Sequence, residues 1–362
     1  MPRIPVLDEA SMQAAESQIP QLAHRAGLAA HRRAVSSHAT ILVMKTPSGD
    51  LVARQTSGQV VVLKALPAAT PVLTGTVLKR AAKHASRPAD GEAAVASAQP
   101  RLRVFAGPNG SGKSTIHEIL KPEWIGVYVN ADEIEKQLRG TGALDLNPFE
   151  LTEPAEALQR RISGHLAASE LLAKHGLLQV AQAVAVTTNR RLHLPLELAN
   201  SYVAAVLADA IRRALLAQGS TFTFETVMSS RDKIDFMREA RALGYRTCLY
   251  FVATDDPEIN ISRVQLRVSQ GGHDVPEDLI RSRYVRSIGL LDDACAAAHR
   301  TYIFENSGQA HQCIAEVIDG TAMIIQVDAL PAWFTGTALW RSFIAGDDLP
   351  ADESSEGWLT TR

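Results

Sequence analysis

Eight consecutive residues, Gly107-Pro108-Asn109-Gly110-Ser111-Gly112-Lys113-Ser114, satisfy the spacing G-x-x-x-x-G-K-[ST]. Glycines at these positions let a chain turn so that successive N–H groups face a single anion. A helix starting there adds the partial positive charge of its first turn. Lys113 would reach the β- and γ-phosphates, and the Ser114 hydroxyl, next to Thr115, would ligate Mg²⁺. The strand-like run RLRVFA precedes the motif and the helix-like STIHEILK follows it, the context a phosphate-binding P-loop requires. The spacing therefore predicts a nucleotide site with Mg²⁺. The plainer alternative is a turn before a helix.

Two carboxylates end neighbouring β-like runs. YVNAD closes at Asp132, nineteen residues after Lys113. Ligands of open parallel sheets sit beyond the carboxyl ends of the strands, so Asp132 would face the phosphates and could accept a proton from an acceptor hydroxyl. The other reading is a cap on the helix EIEKQL, and the two are compatible. TFTFE closes at Glu225, followed by Thr226, and a glutamate finishing a buried strand needs a partner or a site. It would contact acceptor hydroxyls or hold Mg²⁺ through water; a cap or a structural ion pair is the other reading. Residues 263–286 carry Arg263, Arg267, Arg281, Arg283 and Arg286 around the loop GGHDVPED, which holds His273. Arg263 and Arg267, four apart, share a helical face and could both meet phosphates as part of a closing lid. A solvated basic face is the alternative for the arginines, and an ordinary loop residue for His273.

The elements that must position these groups are legible in outline. From residue 101 five apolar runs (RLRVFAG, GVYVNAD, TFTFE, TCLYFVA, RTYIFEN) alternate with amphipathic helical stretches. That alternation predicts a doubly wound α/β domain over 101–330 with a five-stranded parallel sheet. Residues 133–220 exceed one crossover helix and read as a largely helical insertion. Upstream, residues 1–83 suggest a small α+β module, a helix interrupted at Pro20 followed by a β-meander. Residues 84–100 read as a linker and 331–362 as a tail with an acidic end.

Composition narrows the class. The 362 residues are 46% apolar and 21% charged, with Lys+Arg 37 against Asp+Glu 39 for a net charge of -2. This is globular usage, and its balance argues against a nucleic-acid binder. Three cysteines without ligand spacing suggest a reducing compartment. With no signal-like leader and no long uncharged apolar run, the expectation is a cytoplasmic protein without a membrane span.

The ordered set FAGPNGSGKST, VNADEIEKQL, FTFETVMSS, ATDDPEINISRVQLRVSQGGHDVPEDLIRSRY and TYIFENSG, spread over roughly residues 101–310, resembles the zeta toxin family of P-loop kinases. The resemblance implies transfer of a phosphoryl group from ATP or GTP to the 3′-hydroxyl of UDP-N-acetylglucosamine. It implies Lys113 as the P-loop lysine, Asp132 as the base, Glu225 as a substrate contact and Arg267 as a phosphate-binding arginine. Asp209 falls where the family has a glutamate facing the sugar. Val227 replaces a substrate-contacting threonine, with Thr226 one place earlier, and His273 replaces a lid arginine. A related branch that phosphorylates a dinucleotide shows that the acceptor varies. Toxin-like kinases need restraint, so an antitoxin partner, or inhibition in cis by residues 1–83, is expected. The competing class is a nucleotide-dependent switch or ATPase.

Overall fold

The structure is a computed structural model describing residues 9–37, 40–81, 99–118, 120–272 and 274–345. His273, most of the expected linker and the acidic end lie outside the described residues. Up to the second strand of the main sheet, the elements used below are α1 (Glu9–Ser37), β1 (Leu42–Lys45), β2 (Asp50–Arg54), β3 (Val60–Ala65), β4 (Val77–Lys79), β5 (Arg101–Ala106), α2 (Lys113–His117) and β6 (Val127–Val129). Then follow α3 (Ala131–Thr141), α4 (Ser201–Ala217), β7 (Phe222–Thr226), β8 (Arg246–Ala253), α5 (Pro257–Ser269), α6 (Glu277–Gly289), β9 (Arg300–Glu305), β10 (Gln312–Ile318) and β11 (Ala322–Ile325).

The main sheet has eight strands in the order β4-β11-β10-β9-β8-β5-β7-β6. The five from β9 to β6 are parallel, and they are the five apolar runs of the sequence. β10, β11 and β4 extend this sheet as antiparallel neighbours. The β10–β11 turn has positive φ at both Asp319 (50°) and Gly320 (66°), the backbone of a tight hairpin turn.

Alternate residues of each strand serve opposite faces. Leu102, Val104 and Ala106 of β5 join the cluster that contains α4, whereas Phe105 joins the one containing α1 and α2. On that second face Phe105 stacks on Tyr250 (ring centroids 4.9 Å apart) and Tyr250 on Tyr302 (5.5 Å). This aromatic row fixes the register of the strands beneath the glycine loop.

Residues 9–37 and 40–81 do not stand apart as the separate module expected of 1–83. Ala15, Ile19 and Ala23 of α1 pack on Phe105, Ile116 and Tyr250, and Glu16 is buried against Arg101 (2.5 Å) and Arg103 (3.4 Å). Burial of this face outweighs the hydrogen bond that Pro20 forfeits, so α1 continues through it. β4 pairs with β11 in the main sheet. The meander β1–β3 lies on α5, where Val43, Leu51 and Ala53 surround Ile259. Val43 N donates to Ser262 Oγ at 2.9 Å, and Lys45 pairs with Asp255. A detachable inhibitor in cis does not fit this packing, because removing it would uncover the sheet.

The stretch 133–220 holds helices and one small antiparallel sheet of Ala143–Asp145, Ala185–Val186 and Arg191–His193. Leu144, Leu158 and Ile162 of this stretch belong to the same buried cluster as the main sheet. Among the described residues no helix is long and apolar enough to cross a membrane.

Candidate active site

The loop between β5 and α2 sits at the carboxyl end of the central parallel strands. Gly107 has φ 137° and Gly112 φ 101°. A Cβ at Gly107 would run into Val252 O, and one at Gly112 into Asn306 and His311, so glycine is required by both conformation and space. Three side chains behind the loop hold its carbonyls outward. Asn260 Nδ2 donates to Asn109 O (2.6 Å), Asn306 Nδ2 to Ser111 O (2.7 Å) and His311 Nε2 to Gly112 O (3.1 Å). With the carbonyls tied back, the loop is organised for its N–H groups to face an anion. Burial and the nearby Arg263 lower the His311 pKa to about 3, which keeps this ring neutral.

Lys113 is 6% exposed. Its Nζ lies 2.9 Å from Gly107 O, 3.0 Å from Pro108 O and 3.8 Å from Glu225 Oε1. Burial pulls its pKa down, and the Glu225 carboxylate opposes that shift. Ser114 Oγ donates to Glu225 (3.0 Å to Oε2), and the Tyr128 hydroxyl donates to the same oxygen at 3.1 Å. Burial, then Glu225, push the Tyr128 pKa upward, so the phenol stays a donor. His117 stacks on Tyr128 with centroids 3.7 Å apart, tying α2 to β6. The Ser114 hydroxyl and the Glu225 carboxylate thus converge beside the lysine. This hard-oxygen pair suits Mg²⁺, whose remaining ligands are usually phosphate and water. Among the described residues no group of three or more His, Cys, Asp or Glu is placed to hold a metal.

Asp132 does not cap its helix. Asn130 does, accepting from Asp132 N at 2.8 Å, which leaves the Asp132 carboxylate available in the first turn of α3. Its Oδ2 is 3.9 Å from Arg267 Nη1. Asp132, Lys113, Ser114, Thr115, Glu225, Thr226, Arg263 and Arg267 all line one cavity of about 810 Å³, together with Asn109, Gly110 and Gly112. Thr226 Oγ1 accepts from Met228 N at 3.0 Å and so shapes the strand end. Gly107, Pro108 and Ser111 form the back of the loop.

Asp209 is not brought to the cavity. Its carboxylate is held by His165 (2.9 Å), Arg212 (2.8 Å) and Arg213 (3.0 Å). Burial alone would raise its pKa, but His165 and Arg212 hold it well below the ordinary carboxylate range. The expected sugar contact is therefore a structural acid, because α4 turns that position toward its own arginines. Of the remaining arginines, Arg283 lines the cavity and reaches Asn109 Oδ1 (3.4 Å). Arg281 instead pairs with Glu258 (2.5 Å) and Arg286 with Ser282 O (3.3 Å).

Sequence reasoning missed Asn260, Asn306 and His311 behind the loop, Tyr128 and Asn130 beside Glu225, and Lys233 and Tyr202 across the cavity. Asn306 stands within TYIFENSG at the end of a strand, and that position was the available signal. The cavity walls hold six basic residues (Lys113, Arg212, Lys233, Arg263, Arg267, Arg283) against four acidic ones (Asp132, Glu225, Asp232, Asp274). That excess suits a polyanion.

Fold and loop together define a P-loop α/β protein with a preorganised phosphate cradle. No protein-family model matches the chain. It is 32% identical over 82 residues to an uncharacterized protein of Haemophilus influenzae, a match covering 21% of this chain and 59% of that protein. Among solved structures it is similar to the PezAT chromosomal toxin–antitoxin system of Streptococcus pneumoniae, with 18% identity over 60% of this chain and 72% of that one, TM-score 0.35. The AvrRxo1-ORF1:-ORF2 structure with ATP is similar at 15% identity over 62% and 60%, TM-score 0.39. TT1252 from Thermus thermophilus is similar at 17% identity over 58% and 90%, TM-score 0.27.

Proposed function

We propose that this protein is a Mg²⁺-dependent NTP kinase that phosphorylates an alcohol on a nucleotide sugar, with UDP-N-acetylglucosamine the first candidate, in the manner of a zeta-type toxin. The observation that carries the reading is the convergence of Lys113, Asp132 and Arg267 on one cavity beside the Ser114–Glu225 pair. In this reading the acceptor oxygen bonds to the γ-phosphorus while its proton passes to the Asp132 carboxylate. The bond from the γ-phosphorus to the β–γ bridging oxygen breaks, and the nucleoside diphosphate leaves with that oxygen. Lys113 and Arg267 neutralise charge building on the phosphoryl group. Mg²⁺, held by Ser114 with Glu225 beside it, would supply further charge neutralisation when bound. On the acceptor side Arg283 and Lys233 line the cavity with Tyr202, Ser229 and Ser230, which suits a phosphorylated acceptor. The natural setting is the cytoplasmic nucleotide pool, and an antitoxin protein is the expected partner.

The test is mass spectrometry of a nucleotide-sugar mixture incubated with protein and Mg²⁺-ATP or Mg²⁺-GTP. A single acceptor gaining one phosphate is the expected result. Nucleotide converted only to diphosphate and free phosphate would favour a switch or ATPase. Turnover with an acceptor other than UDP-N-acetylglucosamine would keep the kinase and correct its substrate.

A further inference from the structure

We infer that the N-terminal segment builds the nucleobase compartment of this site, with α1 and β1 as its walls; this rests on reading the cavity as a nucleoside triphosphate site. Strand order fixes the geometry. The glycine loop follows β5, with β7 and β6 on one side and β8 and β9 on the other. Asp132 and Glu225, the groups that would meet the acceptor, stand just past the end of β6 and at the end of β7. The γ-phosphate must point toward them, so the nucleoside must leave the cradle on the opposite side, beyond β8 and β9.

That side of the same cavity is lined by Ala30, His31 and Ala34 of α1, by Leu42 and Met44 of β1, and by Gln309. Ala30 and Ala34 are four residues apart, on one helical face. With Leu42 and Met44 they make a smooth apolar surface suited to a flat aromatic ring, and the Gln309 amide can pair with a polar ring edge.

Independent packing ties this wall to the phosphate cradle. His24 Nδ1 lies 3.1 Å from His311 O, and His311 Nε2 in turn meets Gly112 O at 3.1 Å. Gly27 packs against the His311 backbone so closely that a Cβ would lie 2.5 Å from His311 N. A second observation points to a ligand. Arg263 also lines the cavity, near enough to His31 and His311 for its charge to act on both rings, which places a cation at the α1 end. A nucleoside held against α1 and β1 brings polar ring, ribose and α-phosphate atoms to that end of the cavity.

The test compares binding of ATP and of inorganic tripolyphosphate, by calorimetry, to the full chain and to Ala34→Trp. The indole would fill the compartment without touching the glycine loop. Tripolyphosphate should bind both proteins within about twofold, while Ala34→Trp weakens ATP by roughly tenfold or more. If wild type binds ATP no better than tripolyphosphate, or Ala34→Trp binds ATP like wild type, the compartment is not there and the inference is overturned. If wild type binds neither ligand, the phosphate-site reading itself fails, and the inference falls with it. Should Ala34→Trp not fold, photolabelling of wild type with an azido-adenine nucleotide decides. ATP-protected label on residues 27–44 supports the wall; label confined to residues 130–233 overturns it.

Discussion

The two ends of strand β5 handle charge in opposite ways. At its start Arg101 and Arg103 are buried, and Glu16 of α1 lies 2.5 and 3.4 Å from them. One carboxylate there sits between two guanidinium groups, closed inside the core, and the contact serves packing. At its end Lys113, Arg263, Arg267 and Arg283 surround a cavity whose acids are fewer than its bases, and the Lys113 pKa is pulled down by burial even with Glu225 beside it. One end of the strand is closed by α1; at the other the basic side chains line an open cavity. The difference lies in access: the cations at the start of β5 are closed in the core, whereas those beyond its end line a cavity.

Substitutions at the two ends should separate accordingly. Lys113→Ala is expected to lower phosphoryl transfer by about 10²–10³-fold with little change in melting temperature. A stability loss as large as that of Glu16→Ala would break the contrast. Glu16→Ala strands two buried guanidinium groups, so denaturant unfolding should show a loss of about 3–5 kcal/mol, with nucleotide affinity kept in the folded fraction. Asp209→Ala should cost about 2 kcal/mol, less than a fully buried pair because its carboxylate is 20% exposed. Its acceptor KM should stay unchanged, whereas a large KM rise would restore Asp209 to the site.

The smallest effect is one of pH. Burial first, then the Asp255 charge, raise the Glu305 pKa to about 7 from 4.5. Below pH 4.5 both folded and unfolded chains carry the proton; as pH rises through about 7 the folded chain must bury the charge, and the contribution is lost. Wild type should therefore lose melting temperature relative to Glu305→Gln between about pH 5 and about pH 7.5, and parallel curves would contradict the assignment.

Much of this arrangement was legible in the residues. The loop motif, the five apolar runs and the strand-end positions of Asp132 and Glu225 follow from local pattern, because close-packed glycines and buried parallel strands leave few alternatives. What was not legible depends on long-range pairing. Nothing near Glu16 announces two arginines more than eighty residues away, and the three residues of β4 are too short to signal that they edge the main sheet. The Asp319-Gly320 pair was a turn signal that the reading of five parallel strands passed over, and two of the three antiparallel strands flank it. Asp209 misled because spacing from Glu225 gives chain distance, not the direction in which α4 turns its side chain; the arginines at 212 and 213 were the sign that its charge was already taken.

The central claim is that the glycine loop and Asp132 act on one phosphoryl group. The most direct measurement follows a γ-labelled nucleotide in wild type and Asp132→Ala with Mg²⁺ and UDP-N-acetylglucosamine, with nucleotide affinity measured in parallel. Label should pass to the sugar nucleotide with wild type and not with Asp132→Ala, while both proteins bind nucleotide alike. Label appearing only as free phosphate with wild type, or transfer undiminished in Asp132→Ala, would contradict it.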